Sequence, residues 1–151
     1  MEYTIEEFDR VKTKVLKYIM FKKRTKSQIY LKFKSEVEEN LLEDVICDLE
    51  ENGYINDKNY IIKAVNEYVA LKNLSIKEIK YKLYSNGIEN RLIEDYISKN
   101  KEELEEYERK SAENIAIKRS VNMDEQEIKQ YLLKRGYKEE NIENAISKIE
   151  E

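Results

Sequence analysis

Apolar side chains recur along this chain at intervals of three and four residues, the spacing of one face of an α-helix. Three long stretches show the pattern most clearly. They contain Phe8, Val11, Val15, Tyr18 and Ile19; Ile61, Val65, Tyr68 and Val69; and Leu104, Tyr107, Ala112, Ile115 and Ala116. Each stretch predicts one long helix with a buried side. The first is expected to begin at a capping box formed by Thr4 and Glu7.

A helix-start signal follows each long stretch, with Thr25, Ser75 and Asp124 as the capping residues, 50 and 49 positions apart. Three residues later comes Gln or Glu, which can bond back to the cap's own N–H. Two apolar pairs with a spacing of four residues then follow in each copy. They are Ile29 with Phe33, Ile79 with Leu83 and Ile128 with Leu132, then Leu42 with Ile46, Ile93 with Ile97 and Ile142 with Ile146. The pattern therefore predicts two shorter helices after each long one.

The repeated pattern predicts an all-α protein made of three tandem three-helix repeats in an elongated or curved array. We place the repeats at residues 1–53, 54–100 and 101–151. The chain has no proline, and its 3 glycines, Gly53, Gly87 and Gly136, stand where helices are predicted to end. A unit of about 50 residues buries little surface alone, so neighbouring units are expected to pack together or flex about their joints.

The composition leaves little room for catalysis. Histidine is absent and Cys47 is the only cysteine, which excludes zinc sites, histidine-based triads and disulfide frameworks within one chain. No pair of carboxylates is distinguished by its spacing or surroundings. We therefore expect no catalytic residues, no cofactor, no metal and no enzymatic activity. Cys47 lies among Val45, Ile46 and Leu49, and we expect it to be a small buried core residue.

Charge is distributed unevenly along the chain. The net charge is −4, but residues 1–34 carry ten positive and four negative side chains, a net of +6, which leaves −10 for the rest. The run from Lys101 to Lys110 holds five glutamates, including Glu108, and we expect it to form the exposed side of an amphipathic helix. No apolar run approaches the length of about 20 residues that a membrane span requires, and we expect a cytoplasmic protein without membrane contact.

Basic residues form three clusters at equivalent places in the repeats, and these are our candidates for contact with DNA or an acidic protein groove. The candidates are Lys22, Lys23, Arg24, Lys26, Lys32 and Lys34; Lys72, Lys77, Lys80 and Lys82; and Lys129, Lys134 and Arg135. Tyr18, Phe21 and Tyr30 are interleaved with the first cluster, and aromatic rings can stack on exposed bases. The recurrence favours one continuous basic edge. The alternative is a set of solvated helix faces with Tyr18 in the core.

Four segments resemble the RecX regulatory protein family, in that family's order and over almost the whole chain. They are Arg24 to Ile29 with Lys32 and Phe33; Leu49 to Asp57 with Tyr60; Lys77 to Ile79 with Leu83, Gly87 and Ile88; and Tyr131 to Leu132 with Lys134 to Tyr137. The resemblance implies three tandem three-helix repeats. It also implies a modulator, usually an inhibitor, of the RecA recombinase that binds the RecA–DNA filament and so affects DNA repair, recombination and the SOS response.

We accordingly expect a monomer whose partners are the RecA filament and DNA, the latter bound weakly or only within the filament. Two other functions stay open at this stage. Residues from Thr25 to Lys34 also fit one helix of a helix-turn-helix, which would make the chain a sequence-specific DNA-binding regulator. The third possibility is a helical protein-interaction scaffold that binds no nucleic acid.

Overall fold

A computed structural model describes residues 2–151, and within this range the chain is helical without any strand. The helices are α1 (Ile5–Phe21), α2 (Lys26–Phe33), α3 (Glu39–Glu51), α4 (Asp57–Leu71), α5 (Ile76–Ser85), α6 (Asn90–Lys99), α7 (Lys101–Arg119), α8 (Glu125–Lys134) and α9 (Glu139–Glu150). The prediction of an all-α fold is confirmed. The long helices predicted from the apolar pattern are α1, α4 and α7, and two shorter helices follow each of them.

The helices begin where the capping residues predict. Thr25, Ser75 and Asp124 each accept a hydrogen bond from the backbone N–H three residues later, and that residue's side chain accepts from the cap's own N–H. The donor–acceptor distances in these reciprocal pairs lie between 2.9 and 3.1 Å. At α1, Thr4 accepts from the Glu7 N–H at 3.1 Å, without a return bond from Glu7, so only half of the predicted box is present.

The apolar faces close into three separate hydrophobic clusters, one for each set of three helices. The first draws on α1, α2 and α3 and includes Ile55, which follows α3. The second joins α4, α5 and α6 and includes Leu104 from the first turn of α7. The third is formed by the rest of α7 with α8 and α9. The division of the chain into domains at 53 and 100 stays a prediction, which these three clusters favour.

The turns after α5 and α8 place a glycine where two repeats touch. Gly87 and Gly136 have φ values of +88° and +89°, a conformation that residues with a side chain rarely adopt. A Cβ atom on Gly87 would lie 2.3 Å from the Cβ of Ser27, and one on Gly136 would lie 2.9 Å from the Cβ of Lys77. These glycines therefore end a helix and also allow the preceding repeat to approach closely.

Two expectations about burial are wrong. Cys47 is exposed, because the buried face of α3 runs through Leu42, Val45, Ile46 and Leu49, and one further step of 100° turns position 47 outward. Glu108 is only 1% exposed, although it belongs to the acidic run predicted to face solvent. It lies on the side of α7 that packs against neighbouring helices, where backbone N–H groups provide partners for its carboxylate.

Candidate functional site

The candidate site lies at the contacts between consecutive repeats, which we call the first joint and the second joint. At each joint a capping hydroxyl makes two hydrogen bonds, one to its own helix and one to the next repeat. Thr25 Oγ1 donates to the backbone carbonyl of Asn86 at 2.7 Å, and Ser75 Oγ donates to the carbonyl of Arg135 at 2.6 Å. Each acceptor belongs to the C-cap residue that follows the matching helix in the next repeat. The same hydroxyl thus caps its own helix and joins two repeats.

A carboxylate from the following repeat completes each joint. Asp57 Oδ1 accepts the N–H of Lys26, the first residue of α2, at 2.9 Å. Glu108 Oε1 accepts the N–H of Ile76, the first residue of α5, at 2.8 Å. Both joints therefore use the same two kinds of contact, a hydroxyl bonded to a C-cap carbonyl and a carboxylate bonded to the first N–H of a helix.

Beside the second joint lies a cleft of about 850 Å³, between α5 and the end of α8, which we call the basic cleft. Its charged residues are Lys72, Lys77, Lys82, Lys134 and Arg135, with Glu78 as its one carboxylate. The carboxylate is paired: Glu78 accepts from Arg135 Nη2 at 3.0 Å and from Arg135 Nε at 3.1 Å. The four lysines take part in no ion pair within the part of the chain that the structure describes, so the cleft carries a local excess of positive charge.

Aromatic rings stand among these lysines. The ammonium groups of Lys72 and Lys82 lie 5.8 and 5.9 Å from the centre of the Tyr68 ring. Tyr81, on the rim of the basic cleft, is 70% exposed. A positively charged groove with an accessible ring has the chemistry that binds a phosphate backbone with its bases, or an acidic protein surface.

Arg135 has a different role from the lysines. Besides Glu78, its guanidinium donates to the backbone carbonyl of Asn73 at 2.6 Å and lies 5.7 Å from the centres of the Tyr131 and Tyr137 rings. The phenol of Tyr137 is buried against Ser111, and burial raises the pKa of Tyr137 far above its usual value. Arg135 therefore holds the joint together with most of its hydrogen-bonding capacity.

The basic residues proposed as contacts in the first repeat fall into two groups: those that already contact other side chains and those that are exposed to solvent. Arg24 stacks on Tyr18 with 4.3 Å between the guanidinium carbon and the ring centre, and the same ring meets Phe33 edge-on. Tyr18 is thus occupied and offers no open face for a base. Lys26 pairs with Glu50 at 3.3 Å, and Lys32 lies 5.8 Å from the Tyr18 ring.

Three lysines of this repeat, Lys22, Lys23 and Lys34, are exposed and take part in no ion pair in residues 2–151. Partial loss of hydration, followed by the neighbouring ammonium of Lys63, lowers the pKa of Lys23. Two cations from α4 and the end of α1 therefore stand together, which is unfavourable unless an anion is nearby.

The remaining candidates lie farther along the chain. Lys80 pairs with Glu94 at 3.0 Å, and Lys129 is half-buried near the α8–α9 side of the third repeat. The structure therefore brings Lys72, Lys77, Lys82 and Lys134 together and leaves Lys80 and Lys129 apart from them.

Asn86 connects the first basic cluster to the basic cleft, and the sequence did not reveal it. It lines the cleft, its amide donates to the Tyr60 hydroxyl at 3.1 Å, and its carbonyl accepts from Thr25. Asn86 precedes Gly87 as Arg135 precedes Gly136, and this match between the second and third repeats is the signal that would have found it. Tyr81 was missed too, although it stands between Lys80 and Lys82 on the polar side of α5.

Among the described residues, no cluster of side chains has the make-up of a metal site, and none of the helices is long and apolar enough to cross a membrane.

Comparison with known proteins gives a consistent result. The chain is 27% identical to the regulatory protein RecX of Staphylococcus carnosus over 89% of this chain and 52% of that protein, and 28% identical to RecX of Clostridioides difficile over 95% and 70%. Its fold matches the crystal structure of RecX from Lactobacillus salivarius with a TM-score of 0.85, covering 97% of this chain and 99% of that one at 22% identity. These matches in sequence and in fold support the resemblance of this chain to the RecX family.

The family resemblance read from the sequence is thereby confirmed. A second RecX crystal structure matches with a TM-score of 0.79 over 90% of this chain and 71% of its own length. No family model matches the chain. It spans about half the length of the RecX proteins of S. carnosus and Staphylococcus epidermidis, 52% and 57% respectively.

Proposed function

We propose that this chain modulates the RecA recombinase, chiefly as an inhibitor, by binding the RecA–DNA filament. One observation carries the proposal: on a fold that matches RecX, the basic cleft collects four lysines that have no ion-pair partner among residues 2–151, beside an exposed tyrosine. We assign direct contact to Lys72, Lys77, Lys82 and Lys134 of the cleft and to Lys22, Lys23 and Lys34 of the first repeat. Arg24, Lys26, Lys80 and Arg135 maintain the protein's own structure.

A tandem array suits a repeating partner. Three small units joined by equivalent contacts present related surfaces in succession, so each surface contributes a weak contact and the whole chain binds more tightly than any one unit. A chain that contacts neighbouring filament subunits in this way would hinder the addition of subunits and favour disassembly.

The charge distribution favours the filament over free DNA. The chain as a whole carries −4, which opposes general attraction to a phosphate backbone, while the lysines of the basic cleft act locally. We therefore propose that DNA is bound weakly unless the recombinase is present. We also propose that the chain acts as a monomer in the cytoplasm, where the recombinase and its DNA are found.

The geometry of α2 argues against the helix-turn-helix alternative. In that motif the N-terminal residues of the recognition helix contact base edges. Here the first N–H of α2 is bonded to Asp57, and the capping Thr25 is fully buried against Asn86. The end of the helix that would read a base is thus part of the joint between two repeats.

The test is the DNA-dependent ATPase of the recombinase, measured with increasing amounts of this chain. The wild type is expected to reduce turnover. In the double variant Lys77→Glu, Lys134→Glu, the apparent affinity should fall about tenfold, the result of losing two ionic contacts of roughly 0.7 kcal/mol each. The matched control is Lys58→Glu, Lys148→Glu, which changes the net charge equally at exposed positions outside the cleft and should act as the wild type.

Two results would contradict the proposal. Turnover unaffected by a several-fold molar excess of the wild type would overturn the function itself. Equal losses in the cleft variant and the control would show that only the overall charge matters and would remove the basic cleft from the mechanism.

A further inference from the structure

Two positive charges from different repeats meet beside the first joint. Lys23 follows α1 in the first repeat, and Lys63 lies in the second turn of α4 in the second repeat. Partial loss of hydration and then the ammonium group of Lys63 lower the pKa of Lys23, and no carboxylate is among the causes of this change. Neither lysine takes part in an ion pair within residues 2–151. Two like charges therefore share a small region without a counter-ion.

The hydrogen bonds of the first joint explain why these lysines come together. Thr25, two residues after Lys23, donates to the carbonyl of Asn86 at 2.7 Å, and the side-chain amide of Asn86 donates to the Tyr60 hydroxyl at 3.1 Å. Tyr60 and Lys63 are three residues apart on α4, so they lie on the same side of that helix. The segment before α2 is thus held against the side of α4 that carries Lys63.

Arg24 adds a third cation at the same place. Its guanidinium carbon lies 4.3 Å from the centre of the Tyr18 ring, and this stack holds the side chain in position. Burial raises the pKa of the Tyr60 phenol, and the nearby charge of Arg24 opposes that increase, so Arg24 also lies close to this side of α4. The Nε–H of Arg24 is buried without a hydrogen-bond partner among the described residues, and Arg24 forms no ion pair with them. Arg24 therefore keeps its structural contact with Tyr18 while its charge is not neutralised.

This arrangement of cations suits a phosphate group better than a carboxylate. The oxygens of a phosphate group point toward the corners of a tetrahedron and can accept from several directions, whereas the two oxygens of a carboxylate lie in one plane. Hydrogen bonds from lysine and arginine to phosphate are also charge-assisted, which makes them stronger than neutral ones. An anion between Lys23 and Lys63 would in addition offset the repulsion between them.

We propose that Lys23, Arg24 and Lys63 form a binding site for one phosphate group, and that the bound phosphate links the first repeat to the second. The site goes beyond the proposed function, because it adds Lys63 and a link between repeats, and neither requires the recombinase. The first joint is made by caps and turns, so an anion held from both sides restricts motion there. A nucleic-acid backbone and a free phosphate compound both carry this group, and the experiment separates the two sources.

The experiment follows the backbone and lysine side-chain signals of the isotope-labelled full chain by NMR. One sample receives sodium phosphate and a second a short oligothymidylate, while two others receive sodium acetate and NaCl at matched ionic strength. Phosphate is expected to give saturating shifts at the three residues of the site. It should also slow hydrogen exchange of the Lys26 N–H, which bonds to Asp57 across the first joint, but not of the Ile76 N–H at the second joint.

A matched pair of variants removes one positive charge from α4. Lys63→Gln should weaken phosphate binding about tenfold, as expected for the loss of one charge-assisted hydrogen bond. Exchange of the Lys26 N–H should then no longer respond to phosphate. Lys58→Gln changes an exposed lysine of the same helix that lines a different surface cavity, and it should behave as the wild type.

Three results would overturn the proposal. Equal shifts in phosphate and in NaCl, or equal losses in Lys63→Gln and Lys58→Gln, would show that no specific site exists. Equal saturation by acetate would indicate a carboxylate-bearing protein partner and contradict a phosphate site. Phosphate binding that leaves exchange of the Lys26 N–H unchanged would contradict the link between repeats.

The oligonucleotide sample identifies the source of the phosphate group. Saturation at a lower phosphate concentration than with inorganic phosphate would support a nucleic-acid backbone, and the reverse order would support a free phosphate compound. No recombinase is present in any sample, so a failure of this site leaves the proposed function to the ATPase assay.

Discussion

At the scale of single residues, Asp57 forms a stabilising hydrogen bond at a position where burial disfavours its charged form. Its carboxylate accepts the N–H of Lys26 at the first joint, which requires it to sit half-buried between two repeats. Burial raises the pKa of the Asp57 carboxyl, and the nearby Glu50 adds to the increase, while the bond from Lys26 opposes it. The joint therefore keeps a carboxylate in a place where its charged form is unfavourable.

A dependence of stability on pH follows from the raised pKa. The folded chain holds the Asp57 proton to higher pH than the unfolded chain, so this residue's contribution to stability falls as pH rises above about 4. In Asp57→Asn the side-chain carbonyl can still accept the N–H of Lys26. The fall in the free energy of unfolding that Asp57 causes as pH rises should disappear. Urea unfolding between pH 4 and pH 6 is the measurement, with Asp95→Asn, an exposed carboxylate on α6, as the control. A wild-type pH slope in Asp57→Asn would contradict this assignment.

At the scale of helices, the two joints differ in how much they bury. The first is made by caps and turns between α2 and the following repeat. At the second, α7 also packs against both α5 and α6. Glu108 lies at its centre, where it accepts the backbone N–H groups of Ile76 and Lys138 and the side-chain amide of Asn141. The second joint is thus the firmer one, and any motion between repeats is expected at the first.

Substituting Glu108 tests this description. Glu108→Met keeps the approximate length of the side chain and removes every acceptor, leaving the buried N–H of Ile76, the N–H of Lys138 and the side-chain amide of Asn141 unpaired. We expect the free energy of unfolding to fall by about 2–4 kcal/mol. Glu103→Met, an exposed position on the same helix, should cost less than about 0.5 kcal/mol. Similar small losses in both variants would show that the carboxylate does not hold the joint.

The helices themselves could be predicted because their determinants are local. Each capping box, apolar pair and turn glycine can be recognised from a dozen neighbouring residues. Thr25, Ser75 and Asp124 cap helices as expected. Burial across joints could not be predicted in this way. From sequence, Glu108 looks like one more surface glutamate, because its backbone donors, at the start of α5 and just before α9, come close only in the folded chain. The exposure of Cys47 depends on which side of α3 packs against the first core.

The candidate site was predictable only as a set of cations. Sequence spacing identified every lysine of the basic cleft, but it could not show that Lys77 and Lys134 line the same cleft or that Glu78 neutralises Arg135. Those relations depend on the way repeats stack. The interleaved Tyr18 was a reasonable candidate for stacking, yet Arg24 and Phe33 occupy its faces in the folded chain.

At the scale of the whole molecule, the function depends on combining sites that are weak individually. The net charge of −4 opposes indiscriminate DNA binding, the basic cleft supplies local attraction, and the exposed lysines of the first repeat add a second positively charged surface. Such a molecule should distinguish a nucleoprotein filament from either of its components, because only the filament engages all of these surfaces together.

Co-sedimentation is the most direct measurement of that claim. The chain is centrifuged with recombinase filaments assembled on single-stranded DNA and, separately, with the same DNA alone, across a range of salt concentrations. We predict that it pellets with the filaments at physiological salt and stays in the supernatant with DNA alone. Equal pelleting with both, lost steeply as salt rises, would indicate a plain DNA-binding protein and contradict the account, as would no pelleting with filaments at all.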